Sequence, residues 1–249
     1  MLNTRLLTSL AALLVAAPLW AATPTEVGTR SILDVTSSTT NISFSHTVAS
    51  GTTQLVLLIG IEGAESVSTG PIWDSVGVNE SFGAAKADSA PPANNNNARV
   101  LIYVLDSPTV KTANITLSHA SSVNPAVYIA VNVQDSDAWS GNFTNTVDNS
   151  SPQTTTTVLS GGSCFGTYYL SFSVFQGADG ALSEQSGGTE LVDGTTGSSS
   201  NADFAYNLSE RTGSCSSSVT WSATADQNGG AGVSLEEASA PPRVQTPRR

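Results

Sequence analysis

Two tryptophans beside acidic residues are the clearest chemical signal in this 249-residue chain. Trp73 is followed by Asp74, and Trp139 stands two residues after Asp137. An exposed indole ring stacks on a sugar ring while a nearby carboxylate accepts hydrogen bonds from its hydroxyls, so these four residues form a predicted polysaccharide-binding set. The structural alternative is that both rings close the ends of a β-sandwich. Trp221 follows the apolar alternation of its segment and is assigned to the core.

The two histidines, His46 and His119, occupy matching places in two similar segments. They are either a pair on one rim that binds a metal, or two strand-end side chains that pack at the edge of a sandwich. The cysteines lie far away in sequence and show no zinc-ligand spacing. We therefore expect no metal and no cofactor.

Acidic pairs are the remaining candidates for catalysis, because glycosidases on β-sandwiches use two carboxyl groups. The pairs follow predicted strands near turns, where charges are usually solvated: Glu62 with Glu65, Asp135 with Asp137, and Glu236 with Glu237. Asp135 and Asp137 are also a weak calcium candidate, without the EF-hand pattern. The chain contains no Gly-x-Ser-x-Gly, Ser-x-x-Lys or His-Glu-x-x-His motif. A non-catalytic protein is predicted, and a glycan-active hydrolase or lyase ranks third among the hypotheses.

The amino-acid composition limits which fold classes and which binding partners are possible. Ser and Thr occupy 66 positions and 39% of residues are apolar, while Lys, Glu, Met and Gln are scarce. This composition excludes a coiled coil or helical bundle and is unlike that of disordered chains. With 20 acidic against 9 basic residues, the net charge of −11 predicts repulsion from nucleic acids and anionic membranes.

The first 22 residues are predicted to be a signal peptide. Arg5 supplies the positive charge, Leu6–Leu19 the apolar stretch, and Ala21 and Ala22 the small residues of a cleavage site. The protein is thus expected to be secreted, to an extracellular or periplasmic location. No later apolar run is long enough for a membrane span in the mature chain.

The mature chain retains two cysteines, Cys164 and Cys215. In an oxidising compartment an even count favours one disulfide, the alternative being two separate buried thiols. Residues 23–238 are expected to form one β-sandwich domain, with two small sandwiches as the alternative. Residues 239–249 form a predicted flexible basic tail, because they hold three arginines among prolines.

Short β-type runs alternate with clusters of turn residues along this domain, a pattern typical of an all-β sandwich. Strands are predicted at Arg30–Val35, Asn41–Val48, Thr53–Glu62, Ile72–Val78, Arg99–Leu105, Asn114–His119, Ala126–Val133, Gln153–Leu159, Thr167–Gln176, Thr189–Asp193, Asn201–Leu208, Ser217–Thr224 and Gly230–Glu236.

A weak internal repeat accompanies the strand pattern. Asn41–His46, Asn114–His119 and Ser218–Ala223 share apolar residues at alternate positions with hydroxyls between them. Such a strand buries one face and shows Ser and Thr to water. Each is followed by a loop and a more apolar run, which indicates a central strand. Either duplication of the segment or the residue preferences common to β-hairpins explains the similarity.

Several of these segments together resemble a group of secreted bacterial β-sandwich modules, most of unassigned function. The matching segments are Ser43–Thr47, Gln54–Ile61, Ala98–Leu105, Asn114–Leu117, Ala126–Val131 and Val219–Ser222. The resemblance implies a single antiparallel, jelly-roll-like sandwich and no defined activity. The Gly-rich run Gly230–Leu235 departs from the bulkier strand expected there, which predicts a weak closing edge.

Two functions of different classes follow. The first is a secreted non-catalytic module that binds a polysaccharide or a cell-surface ligand. The alternative is a filament or extracellular-matrix subunit that self-assembles by strand addition, since uncharged Ser/Thr-rich strands suit edge pairing.

Overall fold

Extended strands supply the regular secondary structure in the residues that the computed structural model describes: 23–63, 65–89, 98–148, 153–157, 168–176, 183–184, 188–196, 204–212, 220–225 and 227–237. The first half of the chain contains β1 (Thr25–Glu26), β2 (Ser31–Val35), β3 (Thr39–Thr47), β4 (Thr52–Glu62), β5 (Val67–Trp73), β6 (Glu80–Ser81), β7 (Ala87–Asp88), β8 (Ala98–Asp106), β9 (Thr112–Val123) and β10 (Ala126–Gln134). The second half contains β11 (Ser136–Asp148), β12 (Gln153–Thr157), β13 (Tyr168–Gln176), β14 (Ser183–Glu184), β15 (Thr189–Thr196), β16 (Phe204–Thr212), β17 (Thr220–Ala225) and β18 (Gln227–Glu237).

The strands form four antiparallel sheets. Sheet A has the order β1-β10-β4-β8-β7, with β2 also paired to β10, and sheet B has the order β3-β9-β5-β6. Sheet C has the order β11-β18-β13-β16-β15, and sheet D the order β12-β17-β14. The first half of the chain therefore builds sheets A and B, and the second half builds sheets C and D.

Sheets A and B enclose the first hydrophobic core. On β3, Ile42 and Phe44 face inward while the residues between them are exposed, as expected for a strand with one buried face. They pack against Leu55, Leu57 and Ile59 of β4, all 0% exposed. This half is thus a two-layer sandwich with a polar outer face on sheet B.

A second core lies on the opposite face of sheet A. Val56 and Leu58 of β4 pack there with Phe172 and Val174 of β13, and β8 contacts β18. Strands β4, β8 and β10 are apolar on both faces because each lies between two layers. At Gly60 of β4 the two sheets approach so closely that an added Cβ would overlap the Cγ1 of Val174.

Sheet D covers the outer face of sheet C. Residues on that face of β13 and β16 are buried: Tyr169, Ser171, Ser173, Phe175, Ala205, Asn207 and Ser209. Strand β17 contacts β13, and β14 contacts β15 and β16. The layer order is therefore B, A, C, D, which is two sandwiches that share a core between them.

The two halves have the same strand topology. In chain order, β3, β4, β5, β7, β8, β9 and β10 occupy the positions that β12, β13, β14, β15, β16, β17 and β18 occupy in the other half. The repeat segment in β9 is thus structurally equivalent to the part of Ser218–Ala223 that lies in β17, whereas the similar segment in β3 is a neighbour of β9 in the same sheet. Strand β4 faces β13, and β7 and β8 contact β11 and β18, so the two similar units pack against each other through sheets A and C.

The predicted all-β, antiparallel sandwich fold is confirmed, and its jelly-roll-like connectivity stays a prediction. The number of layers goes beyond the two that were expected. The Gly-rich segment is not a closing edge, because β18 pairs with β11 on one side and β13 on the other. The signal peptide, Cys164, Cys215 and the basic tail lie outside the described residues. Among the described residues, no helix has the length and apolar character needed to cross a membrane.

Candidate functional site: an uncharged face of sheet B

The outer surface of sheet B carries a regular array of hydroxyl and amide groups. It consists of four directly opposed pairs on β3 and β9, which we call the hydroxyl face: Asn41 with Ser118, Ser43 with Thr116, Ser45 with Asn114, and Thr47 with Thr112. Six of the eight side chains are exposed, and Thr116 and Ser118 are half-buried. Residues that alternate along a strand lie about 6.8 Å apart, so the groups form a regular grid without charge.

Hydrogen bonds within the hydroxyl face orient its side chains. The Ser118 hydroxyl donates to the Asn41 Oδ1 at 2.8 Å, and the Thr47 and Thr112 hydroxyls are 2.8 Å apart. The Asn114 amide donates to the Ser43 hydroxyl at 3.2 Å. Donor or acceptor capacity remains after these contacts, because a hydroxyl or amide can make more than one bond.

A shallow depression of about 250 Å³ lies within this face. Asn41, Ser43, Thr116 and Ser118 line it, and Ile72 of β5 adds a half-buried aliphatic side chain opposite Thr116. A concave surface that combines polar groups with one apolar patch matches the two faces of a sugar ring. Sequence alternation had already placed hydroxyls outward on β3 and β9, but only strand register groups them.

Trp73 is not the exposed ring that sugar stacking requires. Its side chain is 0% exposed in the first core, and its ring meets the His46 ring edge-on with centroids 6.1 Å apart. The indole nitrogen has no hydrogen-bond partner among the described residues. The structure therefore favours the packing alternative for Trp73.

Asp74 organises a turn. Its backbone lies in the left-handed region at φ 52°, and its carbonyl accepts hydrogen bonds from the amides of Gly77 and Asn79, both at 2.9 Å. Its buried carboxylate accepts from the Val78 amide at 2.8 Å and pairs with Lys111. The Lys111 ammonium, followed by the Val78 amide, holds the pKa of Asp74 below its usual value. Its carboxylate is thus already engaged within the chain.

The structure does not describe the side chains of Asp137 and Trp139, so their predicted role in ligand binding stays a prediction. Asp135 lies between β10 and β11 at φ 58°. In the described part of the chain, no three His, Cys, Asp or Glu side chains come together as a metal site would require.

The histidines are not a pair on one rim. His46 lies opposite Ala113 in the β3–β9 register, and His119 is six residues further along β9. At about 3.4 Å per residue, their backbones are about 20 Å apart. Both rings point between sheets A and B and are 1% and 3% exposed.

Each imidazole connects sheet B to β10 of sheet A through a hydrogen bond. The Nε2 of His46 donates to the Asn132 Oδ1 at 3.0 Å, and its Nδ1 accepts from the Ser31 hydroxyl at 2.9 Å. In His119 the roles reverse: Nδ1 donates to the Ser66 carbonyl at 3.2 Å, and Nε2 accepts from the Tyr128 hydroxyl at 2.7 Å. A neutral ring satisfies each set of partners, because the Ser31 and Tyr128 hydroxyls can donate to the unprotonated nitrogen.

Unfolding is expected to become easier as the pH falls below 6.5. Burial lowers the pKa of both histidines, so the unfolded chain binds protons that the folded chain excludes. Their contribution is fully present above the ordinary pKa and is lost as the pH falls through the lowered values. Urea denaturation between pH 7.5 and 5 measures the change.

Substituting one histidine at a time isolates its contribution to the pH dependence of stability. His46→Gln and His119→Gln should each reduce the dependence of the unfolding free energy on pH in that range. Asp34 acts in the opposite direction, because burial raises the pKa of its carboxyl. If neither histidine variant changes the pH dependence of the unfolding free energy, that dependence does not come from His46 and His119.

A second concave region lies at the seam between the two halves, between β2 of sheet A and β15 of sheet C. This groove measures about 680 Å³. The guanidinium of Arg30 donates to the Leu191 carbonyl at 2.7 Å and to Glu26 at 2.6 and 2.9 Å. Arg30 therefore joins the halves, and its charge is balanced inside the groove.

Searches against protein-family models, curated proteins and solved structures find no match to this chain. The resemblance to secreted bacterial sandwich modules thus stays an expectation from sequence. The chemistry of its surfaces is therefore the basis for inferring its function.

Proposed function

We propose that this protein is an exported, non-catalytic β-sandwich module that binds a neutral polysaccharide through the hydroxyl face. The observation that carries the proposal is the uncharged grid of Ser, Thr and Asn around a depression that contains Ile72. The predicted signal peptide and the resemblance to secreted bacterial modules support export.

Chemistry favours a neutral polymer of sugars. Hydroxyl and amide groups both donate and accept hydrogen bonds, as sugar hydroxyls do, and no charged group on this face must lose its water. The chain's net charge of −11 disfavours anionic polymers. The large exposed hydrophobic side chains in the described part are aliphatic, namely Ile32, Val76, Val78 and Val110, so binding relies on hydrogen bonds more than on stacking.

Removing hydrogen-bonding groups around the depression should weaken binding about tenfold or more. A triple variant, Asn41→Ala, Ser43→Ala and Thr116→Val, deletes three polar contacts, each contributing about 0.5–1.5 kcal/mol. Binding is measured on a glycan array and by pull-down with cellulose, chitin and xylan.

The matched control is Ser121→Ala with Ser122→Ala, which changes exposed serines of β9 beyond the hydroxyl face. The control should bind like the unmodified protein. Equal binding by the triple variant and the control would place the site elsewhere, and release of soluble sugar from the polymers would overturn the non-catalytic assignment.

A filament or matrix subunit assembled by strand addition is the second candidate. It is favoured by β3, a nine-residue strand that is an edge of sheet B within the described residues and carries neither a charged residue nor a proline. Negative-stain electron microscopy separates the two proposals. Filaments without polysaccharide binding support assembly, and single particles that bind polysaccharide exclude it.

A further inference from the structure

One residue connects the two halves of the chain. Strand β10 ends at Gln134 in sheet A, and β11 begins at Ser136 in sheet C, so Asp135 alone makes the turn between them. Asp135 has φ 58°, a left-handed conformation that Asp tolerates better than most residues but that still costs more than an extended backbone. An extended Asp135 would relieve this strain and join β10 and β11 into one long strand.

The core between sheets A and C forms from one half-chain on each side. Val56, Leu58 and Val131 contribute from the first half, and Phe172 and Val233 from the second. Nothing in these contacts requires both halves to belong to the same chain. Short, strained connections between complementary units favour exchange of those units between copies.

We propose that two copies of this protein exchange halves about Asp135. Residues 23–134 of one copy then pack onto residues 136–237 of a second, and the reverse, which rebuilds both shared cores in a closed two-fold dimer. In the single chain, the Ser136 amide donates to the Thr53 Oγ1 at 3.0 Å and its hydroxyl donates to the Gln54 Oε1 at 2.6 Å. Both bonds join the two halves, so exchange re-forms them between copies; they slow the opening of the turn without favouring the monomer over the dimer.

The dimer would carry two hydroxyl faces. This consequence rests on the proposed function, since two weak sites on one particle bind a polymer more tightly than either alone. Exchange itself does not depend on polysaccharide binding, and molar mass tests it separately.

Asp135→Val is expected to shift the equilibrium towards the dimer by at least tenfold, because a β-branched residue disfavours a positive φ. Asp135→Gly should shift it towards the monomer. Each protein is refolded from urea across a range of concentrations, and size-exclusion chromatography with light scattering gives the molar mass.

The matched control is Asn79→Val, since Asn79 is exposed and has φ 57° in the turn before β6 of sheet B, where its amide bonds to Asp74. It should lose stability without dimerising. If Asp135→Val does not fold, the Asp135→Gly variant still decides the question by its loss of dimer relative to the unmodified chain.

A mixing experiment distinguishes exchange from side-by-side association. Gly60→Ala chains crowd Val174 across the shared core, and Val174→Ala chains leave space there. After co-refolding, exchanged heterodimers contain one unmodified interface and one in which the two changes compensate, so native mass spectrometry should show well over half heterodimer. A heterodimer fraction of one half, as random association gives, would overturn the proposal. An Asp135→Val protein that is monomeric at every concentration would overturn it as well.

Discussion

Replacing Trp73 by alanine is expected to lower the free energy of unfolding by about 3–5 kcal/mol. The indole is 0% exposed and fills the space between sheets A and B beside the His46 ring. Its removal leaves a cavity that the surrounding strands close only in part, because hydrogen bonds hold them in their sheets. Urea denaturation followed by circular dichroism measures the loss.

Val76→Ala is the comparison variant, since Val76 is 98% exposed four positions before Glu80 and should change stability by less than about 0.5 kcal/mol. Trp73→Phe should retain more stability than Trp73→Ala. It should also retain polysaccharide binding, because the ring does not reach the surface. A folded Trp73→Phe variant that no longer binds would show that this side chain contacts the ligand.

Gly60→Ala is expected to destabilise the protein by about 1–3 kcal/mol, or more where the sheets cannot separate. The added Cβ would overlap the Cγ1 of Val174 and lie 3.1 Å from Phe172 and 3.1 Å from Val127. Two of these neighbours belong to sheet C, so the effect reports directly on the packing of one half of the chain against the other.

A double-mutant cycle with Val174→Ala checks the origin of the effect. The second substitution removes the methyl group that the new Cβ meets, so the double variant should be less destabilised than the sum of the two single variants. Additive losses would mean that sheets A and C do not pack through this contact. Both measurements use urea denaturation at one pH.

The local pattern of apolar and polar residues predicted the positions of most strands correctly. Asn41–Val48 was expected and Thr39–Thr47 is found, and Ala126–Val133 agrees with Ala126–Gln134. Alternation in the first and continuous apolar character in the second are local properties, so they survive in the folded chain.

The prediction of a strand at Ile72–Val78 was wrong after Trp73. Val76 and Val78 continue an apolar alternation, but Asp74 adopts a left-handed backbone and its side chain caps the turn at the Val78 amide. Strand β11 was not predicted, because Ser136–Asp148 mixes polar and aromatic residues without a period of two and pairs with β18 through several register shifts.

The hydroxyl face shows how far sequence reasoning reaches at the candidate site. Outward Ser and Thr on β3 and β9 follow from alternation within each strand. Their assembly into one surface depends on Asn41 lying opposite Ser118, in strands separated by most of the first half. Trp73 was included in the predicted binding set beside the packing alternative because its acidic neighbour suggested a surface, although that neighbour is itself a buried turn residue.

By itself, the sequence determined that the chain is all-β and which faces of each strand are apolar, because side-chain direction in a strand depends only on position along it. The apolar character of both faces of β4, β8 and β10 is also visible in the sequence, although the expectation of a single two-layer sandwich left one of those faces uncovered. Which sheets cover it, the separation of His46 and His119, and the burial of Trp73 were decided by the tertiary structure alone. These properties depend on pairing and packing between residues far apart in the chain, and no local period encodes such contacts.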